Sequence, residues 1–179
     1  RTWEQIKCRP VLPLTCCQSF QDAFDLGAVR IEPFSISHDA VDPVGFAFSY
    51  GKTRCVLATD LGVVTPLVEG ALHNAQVLIL ESNHDLDMLH QGPYPPYLKQ
   101  RIRGNKGHLS NHAAGKVLSG LKRSTPMHVF LAHLSQQNNH PRLAQQTVTD
   151  FLSRGGCQVG EEVVLHPTFP DRTSSYISR

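Results

Sequence analysis

Segments in which apolar and polar residues alternate follow one another in the N-terminal half of the chain. A period of two is typical of half-buried strands, and it predicts strands at 29–34, 44–50 and 54–59. Gly51 and Lys52 lie between the second and third segments and predict a tight hairpin turn. We therefore predict an antiparallel meander of three strands in this part of the chain.

The pattern changes after Asp60, where continuous apolar runs alternate with segments that carry helix-start signals. Thr65 followed by Pro66 is such a signal, because threonine caps helices and proline suits the first helical position. Single alternation of strands with helices is typical of a layered α/β domain. The predicted elements are helix 65–74, strand 75–81, helix 97–103, helix 110–121, strand 128–132, helix 141–153 and strand 163–166.

Length and composition fit one domain. The chain has 179 residues, 40% of them hydrophobic, which is enough for one ordinary core. No internal repeat or linker divides it, so we predict a single domain over residues 1–179 with a frayed tail from about residue 167. The formal net charge of +2 is too small to indicate a nucleic-acid partner by itself.

The cysteines and the hydropathy bear on the location of the protein. Five cysteines, an odd number without a CxxC pair, fit free thiols in the cytoplasm better than a disulfide framework or a structural zinc site. No apolar run is long enough to span a bilayer, and no signal peptide is visible. We therefore expect a cytoplasmic protein without a membrane partner.

Residues able to bind a metal follow several of the predicted strands. Asp60 follows the third strand, Glu81 and His84 follow the apolar run of the fourth, His133 follows the fifth, and His38 lies in the loop after the first. Ligands of α/β sheets gather beyond the carboxyl ends of strands, and imidazole and carboxylate suit zinc, iron or manganese. A lone Asp or His there more often makes a cap or a surface hydrogen bond. The joint pattern, and no single residue, predicts a metal site.

Six segments between about residues 29 and 150 together resemble the metallo-β-lactamase-fold hydrolases, in particular the branch called YycJ or WalJ. The segments are EPFSISHDAVDPVGFAF, CVLATDLG, LILESNHDLDML, GPYPPYLKQRI, GHLSNHAAGKVL and VFLAHLSQQNNHP. Members of this branch are regarded as bacterial 5′-to-3′ DNA exonucleases. The resemblance implies an αββα sandwich and, for the intact protein, two divalent ions (zinc, manganese or iron) and hydrolysis of phosphodiester bonds in DNA by a metal-activated water.

The resemblance also assigns roles to individual residues. It implies that His38, Asp60 and His133 are metal ligands and that Asp60 bridges the two ions. It places His108 beside the scissile phosphate, as a general acid or a phosphate donor. Catalysis is therefore expected to depend on His108 and Asp60. A hydrogen bond at a helix start is the ordinary alternative for His108.

Other polar residues are weaker candidates for contacts around the metals or with the substrate. Glu81 could orient a ligand histidine, and His84 could face the cleft, although either could instead tie down its loop. The cations between Leu98 and His108 could grip a nucleic-acid backbone, and the tyrosines before them could stack on a base; a solvated, packed loop is the alternative. These residues are Lys99, Arg101, Arg103 and Lys106, with Tyr94 and Tyr97.

One part of the family pattern is absent. The His-x-His-x-Asp-His signature of the family has no counterpart, since the sequence contains no HxH, and the first strand with its aspartate is also missing. We therefore expect an N-terminally truncated domain holding about the C-terminal two-thirds of the fold. Two alternatives stay open: a phosphodiesterase for RNA or small cyclic phosphates, and a metal-poor fragment that only binds DNA or another partner.

Overall fold

A seven-stranded mixed sheet is the centre of the structure, a computed structural model that describes residues 20, 22–124 and 126–174. The strands lie side by side in chain order. They are β1 (Phe24–Leu26), β2 (Val29–Ser35), β3 (Val44–Tyr50), β4 (Thr53–Ala58), β5 (Val77–Glu81), β6 (Met127–Ala132) and β7 (Val163–Pro167). Strands β1 to β4 pair antiparallel, and β4 to β7 pair parallel, so the predicted meander and the α/β class are confirmed.

In the described part of the chain, five helices connect and cover the parallel strands. They are α1 (Pro66–Leu72), α2 (Leu86–Gln91), α3 (Pro96–Arg103), α4 (Asn111–Gly120) and α5 (Pro141–Arg154). The hydroxyl of Thr65 accepts a hydrogen bond from the Val68 N–H, and that of Ser110 accepts one from the Ala113 N–H, as the capping signals predict. Within the described ranges, no helix is long and apolar enough to cross a membrane.

Two short elements were not predicted. Strand β1 has 3 residues, too few for a period of two to be recognised. Helix α2 has 6 residues and begins at the cap of Asp85, whose carboxylate accepts hydrogen bonds from the Asp87 and Met88 N–H groups. The segment 84–90 contains two aspartates and two histidines close together, which hides the apolar period of a helix.

The core lies between one face of the sheet and the helices. Alternate strand residues such as Val56, Leu78 and Val129 are fully buried, and they belong to one cluster with Leu118 and Val148 from α4 and α5. Residues on the opposite face of the strands are only partly buried. The described residues therefore form one sheet of the expected two-sheet sandwich, with its helical layer.

The direction of the strands decides where loops meet. Strand β2 is antiparallel to β3, and β3 is antiparallel to β4, so β2 and β4 run in the same direction. Strands β5 to β7 continue parallel to β4. The carboxyl ends of these five strands therefore open on the same edge of the sheet, which is where α/β folds bind ligands.

The beginning of the predicted frayed tail is tied to the sheet. The hydroxyl of Thr168 donates a 2.7 Å hydrogen bond to the carbonyl of Leu131. The guanidinium of Arg172 lies 3.9 Å from the centre of the Phe169 ring. Residues 175–179 lie outside the described residues.

Helices α4 and α5 approach closely at Gly115. A Cβ atom on Gly115 would lie 2.9 Å from the Cβ of Phe151, a position that cannot swing away. We expect Gly115→Ala to lower the free energy of unfolding by about 1–2 kcal/mol, since overpacking costs about 1–3 kcal/mol and outweighs the roughly 1 kcal/mol gained in helix propensity. Gly70→Ala in α1 is the matched control, because nothing lies within 4 Å of its Cβ, and it should be neutral or stabilising. Urea unfolding of both variants measures the difference; equal stabilisation by both would contradict this packing.

Candidate metal centre

A cavity of about 410 Å³ opens at the carboxyl edge of the sheet. Its walls include His38, Asp60, His108 and His133, which are far apart in the chain. His38 follows β2, Asp60 follows β4, and His133 comes directly after β6. His108 lies in the loop between α3 and α4. The structure therefore brings together the three residues that the sequence marks as ligands, and His108 with them.

The backbone at two of these positions is unusual. Asp60 has φ 59° and His133 has φ 56°, both in the left-handed region that non-glycine residues rarely adopt. Such conformations cost on the order of 1–3 kcal/mol, persist where surrounding contacts fix them, and cluster at functional sites. Glycine is the residue that most often adopts this conformation, but neither position is a glycine. The sequence therefore gives no local sign of the unusual backbone, and the two positions stand out only by their metal-binding side chains.

The buried carboxylate of Glu81, at the end of β5, holds the site from behind. Its Oε1 accepts hydrogen bonds from Nδ1 of His108 and Nδ1 of His133, each 2.7 Å long. Its Oε2 accepts a 2.7 Å hydrogen bond from the Leu61 N–H, one residue after Asp60. Burial by itself raises the pKa of Glu81, but the hydrogen bonds from the two histidines and Leu61 outweigh burial and hold the pKa below its ordinary value.

This arrangement fixes the tautomers of the two histidines. A carboxylate only accepts hydrogen bonds, so His108 and His133 both carry their proton on Nδ1. Nε2 of each ring is left to bind a metal or to exchange a proton. The hydrogen bond to Glu81 also raises the pKa of His133, against the effect of partial burial. A carboxylate behind a histidine is the usual support of a metal-binding imidazole.

His38 and Asp60 form the front of the cluster. The His38 Nε2 lies 3.7 Å from the Asp60 Oδ1, while the His38 Nδ1 lies 3.2 Å from the carbonyl of Gly107 and donates to it. Two ligands about 2.1 Å from one ion are at most about 4.2 Å apart, so this pair is close enough to share a metal. The Asp60 Oδ1 is also 3.6 Å from the His133 Nδ1, the nitrogen that donates to Glu81, which places Asp60 between the two histidines.

The donors fit divalent metals as a set. Two overlapping groups have all their ligand atoms within 4.8 Å of one another: His38, Asp60 and His108, and Glu81, His108 and His133. Imidazole nitrogen and carboxylate oxygen are donors for zinc, iron and manganese. Because the three hydrogen bonds to Glu81 already engage both of its oxygens, this residue is placed to orient the histidines. The candidate metal ligands are therefore His38, Asp60 and His133, which lie in front of it.

An ion pair across the cavity was not predicted. The Arg101 Nε donates a 2.6 Å hydrogen bond to the Asp39 Oδ2, and the Asp39 Oδ1 lies 3.4 Å from the His38 Nε2. The hydrogen bond from Arg101 lowers the pKa of Asp39. Asp39 stands next to His38 in the sequence, but Arg101 is 62 residues away, so only the fold reveals the contact.

Asn83 supports the loop that carries His133 and was also missed. Its side-chain amide donates a 2.8 Å hydrogen bond to the His133 carbonyl, and its own carbonyl accepts one of 2.8 Å from the Ser135 N–H. Behind it, the buried amides of Asn111 and Asn139 hydrogen-bond to each other and to Ser82. The loop after β5, through Asn83, and the uncharged polar stretch after His133, through Ser135, therefore fix the backbone around His133 together.

Of the other candidates, Tyr94 lines the cavity, whereas His84, Arg103 and Lys106 lie away from its wall. His84 is buried with 2% of its surface exposed, and its Nδ1 has no hydrogen-bond partner within the described residues. Burial lowers the pKa of His84 to about 4, so it is neutral at physiological pH. Arg103 and Lys106 are exposed outside the cavity, although the Lys106 carbonyl accepts a 3.1 Å hydrogen bond from the Asp39 N–H.

The chain is similar to two named bacterial exonucleases. It is 36% identical over 152 residues to exodeoxyribonuclease YycJ from Bacillus anthracis, covering 85% of this chain and 58% of the relative. It is 36% identical over 145 residues to exodeoxyribonuclease WalJ from Streptococcus pneumoniae serotype 2 strain D39, covering 81% of this chain and 54% of the relative. The chain thus spans little more than half the length of these curated relatives. No family model matches the chain.

Solved structures show the same fold at low sequence identity. The metallo-β-lactamase fold protein YhfI from Bacillus subtilis aligns with a TM-score of 0.57 at 19% identity, covering 82% of this chain and 51% of that one. Zn²⁺-bound PqqB from Methylobacterium extorquens aligns with a TM-score of 0.52 at 14% identity, covering 89% of this chain and 51% of that one. The sequence and the fold agree: the chain belongs to the metallo-β-lactamase-fold family that includes the YycJ and WalJ exodeoxyribonucleases.

Proposed function

We propose that the protein is a metal-dependent phosphodiesterase that hydrolyses DNA, in the manner of an exonuclease. The observation that carries this proposal is the meeting of His38, Asp60 and His133 in one cavity with His108 among them. The names of the two exodeoxyribonuclease relatives support the choice of DNA. We further propose a cytoplasmic location, which the exodeoxyribonuclease names of the relatives and the free thiols of Cys55 and Cys157 support.

The proposed site holds two divalent ions, of zinc, manganese or iron. Asp60 lies between His38 and His133, where its carboxylate would hold both ions. His38 would supply its Nε2, and His133 would supply the Nε2 that its hydrogen bond to Glu81 leaves free. Divalent ions bound there supply an activated water and offset the negative charge on the phosphate. Glu81 keeps the His133 ring in one orientation and one tautomer, so this ligand is ready before a metal arrives.

His108 is the proposed proton donor. Its ring lies 5.2 Å from the ring of His38 and 5.1 Å from that of His133, measured between centres, so it stands between the two sides of the cluster. Its Nδ1 is engaged by Glu81, and its Nε2 is free to hydrogen-bond to a phosphate oxygen. When protonated, His108 can give that Nε2 proton to the oxygen of the leaving nucleotide.

Removal of a proposed ligand tests the metal site directly. We expect His133→Ala to reduce affinity for Zn²⁺ or Mn²⁺ by more than about 100-fold, because losing a residue that merely orients a ligand already costs about 10–100-fold. Calorimetric titration and the metal content of dialysed protein measure the change. His90→Ala is the control, since His90 is exposed in the last turn of α2, outside the cavity wall. Equal affinities in the two variants would reject the assignment, and a wild-type chain that binds no divalent ion would favour the metal-poor binding fragment.

Replacement of the buried carboxylate tests the support behind the ligands. In Glu81→Gln the amide offers one accepting oxygen, and its NH₂ group then faces either the Leu61 N–H or the two histidine N–H groups. We expect the free energy of unfolding to fall by about 1–3 kcal/mol for the unsatisfied buried donor. We also expect metal affinity to fall by about 10–100-fold. Glu161→Gln, an exposed loop position, is the control for both measurements. Unchanged metal affinity in Glu81→Gln would remove Glu81 from the proposed site.

Cleavage assays test the reaction and the substrate class together. We expect the metal-loaded protein to degrade DNA, and His108→Ala to slow this cleavage by about 10²–10⁴-fold, the usual contribution of a general acid or base. His112→Ala, four residues further on and exposed, should cleave at the wild-type rate. A protein that cleaves only a tRNA precursor or a cyclic nucleotide would contradict the DNA substrate while leaving the phosphodiesterase chemistry in place.

A further inference from the structure

Helix α3 is one wall of the cavity and has a second surface outside it. Leu98 and Ile102 line the metal cavity, whereas Lys99 and Arg103 line a shallow cavity of about 460 Å³ on the outside. Residues four apart share a helix face, so the two pairs mark neighbouring faces of one helix. A polymer that leaves the metal cavity over α3 therefore meets this outer surface next.

The outer surface is cationic without counter-charges. The stretch 92–108 contains no Asp or Glu, and none of the residues that line the outer cavity is acidic. Of the four cations in this stretch, Arg101 is paired with Asp39. In the part of the chain that the structure describes, no carboxylate forms an ion pair with Lys99, Arg103 or Lys106. The Lys99 Nζ donates a 2.7 Å hydrogen bond to the neutral His90 carbonyl, which leaves its charge uncompensated.

An exposed aromatic ring flanks the cavity-lining face of α3 on its other side. Tyr97 is 74% exposed, and helical periodicity places it beside Arg101, across the cavity-lining face from Lys99 and Arg103. Exposed rings beside cations are the usual platform for unpaired bases, and each stacked base contributes about 1–3 kcal/mol. We call Tyr97, Lys99, Arg103 and Lys106 the α3 strip.

The size of the metal cavity indicates a single strand. A cavity of about 410 Å³ is in the range of small-molecule sites and accommodates a unit about the size of one nucleotide, not a duplex. Helix α3 has 8 residues and is therefore about 12 Å long, which corresponds to about three nucleotides of a strand at roughly 3.4 Å each.

We propose that the α3 strip binds the single strand adjoining the scissile phosphate, with Lys99, Arg103 and Lys106 on backbone phosphates and Tyr97 on a base. This proposal rests on the proposed function, because it extends the substrate of that site outward over α3. It also explains why Lys99, Arg103 and Lys106 lie outside the cavity instead of lining it. Contacts outside the cavity hold the strand, and the metal cluster receives one phosphodiester.

Salt-dependent binding tests the proposal without any cleavage. The probe is a fluorescein-labelled oligothymidylate of about twelve nucleotides with phosphorothioate linkages, titrated with Mn²⁺-loaded protein at about 50–200 mM salt. We expect Arg103→Ala/Lys106→Ala to weaken binding and to reduce the slope of log Kd against log salt by about 1.4, since each phosphate contact on a single strand contributes about 0.7. Tyr97→Ala should weaken binding with the slope unchanged, because stacking releases no counterions.

Two control variants make the result specific. Lys116→Ala/Arg154→Ala removes the same charge from exposed positions on α4 and α5 and should keep the wild-type slope. Arg103→Lys/Lys106→Arg keeps both charges and should also keep it, which excludes misfolding as the cause. An equal loss of slope in the Lys116/Arg154 variant would mean non-specific attraction and would overturn the proposal. So would a wild-type protein that does not bind the oligonucleotide at low salt, as expected if the strip binds an acidic protein.

Cleavage of long and short substrates separates this inference from the proposed function. We expect the Arg103/Lys106 double variant to lose more kcat/KM on a strand of about twelve nucleotides with ordinary phosphodiester linkages than on a dinucleotide, which is too short to extend along α3. Equal losses on the two substrates would overturn the α3 strip and leave the phosphodiesterase intact. A wild-type protein that binds the strand with the expected slope but cleaves neither substrate would overturn the proposed function and leave the strip intact.

Discussion

The candidate site depends on one buried carboxylate. Burial of a charged carboxylate is costly unless hydrogen bonds satisfy it, and Glu81 receives three, from His108, His133 and the Leu61 N–H. These donors come from three separate loops, so the carboxylate is stable only when all three loops have reached their places. The requirement to satisfy Glu81 thereby also sets the relative positions of Asp60 and the two histidines. The hydrogen bonds to Glu81 from His133 and from the Leu61 N–H are also the contacts that hold His133 and Asp60 in a left-handed backbone conformation.

The second constraint is the close approach of the loop after α3 to the loop after β2. The Ser37 hydroxyl and the Asp39 N–H donate to carbonyls of this loop, and the His38 ring hydrogen-bonds to the carbonyl of Gly107. A side chain at Gly62 or Gly107 would collide with backbone atoms of the neighbouring segment, so glycine is required at both. His38 is therefore positioned from the side of α3, whereas His133 is positioned from the side of Glu81, and Asp60 lies where these two supports meet.

Much of the fold and of the candidate site could be predicted from the sequence, because the signals that define them are local. Strand alternation, helix caps and polar residues at strand ends are local signals, and they predicted the main elements and the convergence of positions 38, 60 and 133. The contacts that support them are long-range and leave no local signal, as for Asp39 with Arg101 and for Asn83 with His133. His84 shows the limit clearly. Adjacent residues after a strand face opposite sides, and the pattern could not tell that Asn83 lines the cavity while His84 is buried.

The small net charge of the chain hides an uneven distribution of its charged residues. The whole chain carries a formal charge of only +2, yet the stretch 92–108 has four cations and no acidic residue. Inside the cavity, Arg101 is neutralised by Asp39, so the metal-binding groups do not face an unpaired cation there that would repel a divalent ion. Outside the cavity, the cations of α3 have no such partner and remain available to a polyanion. Arg101 on the inner side of α3 is paired, whereas Lys99 and Arg103 on the outer face are not. The same short helix can therefore border the metal site on one face and attract phosphate on the other.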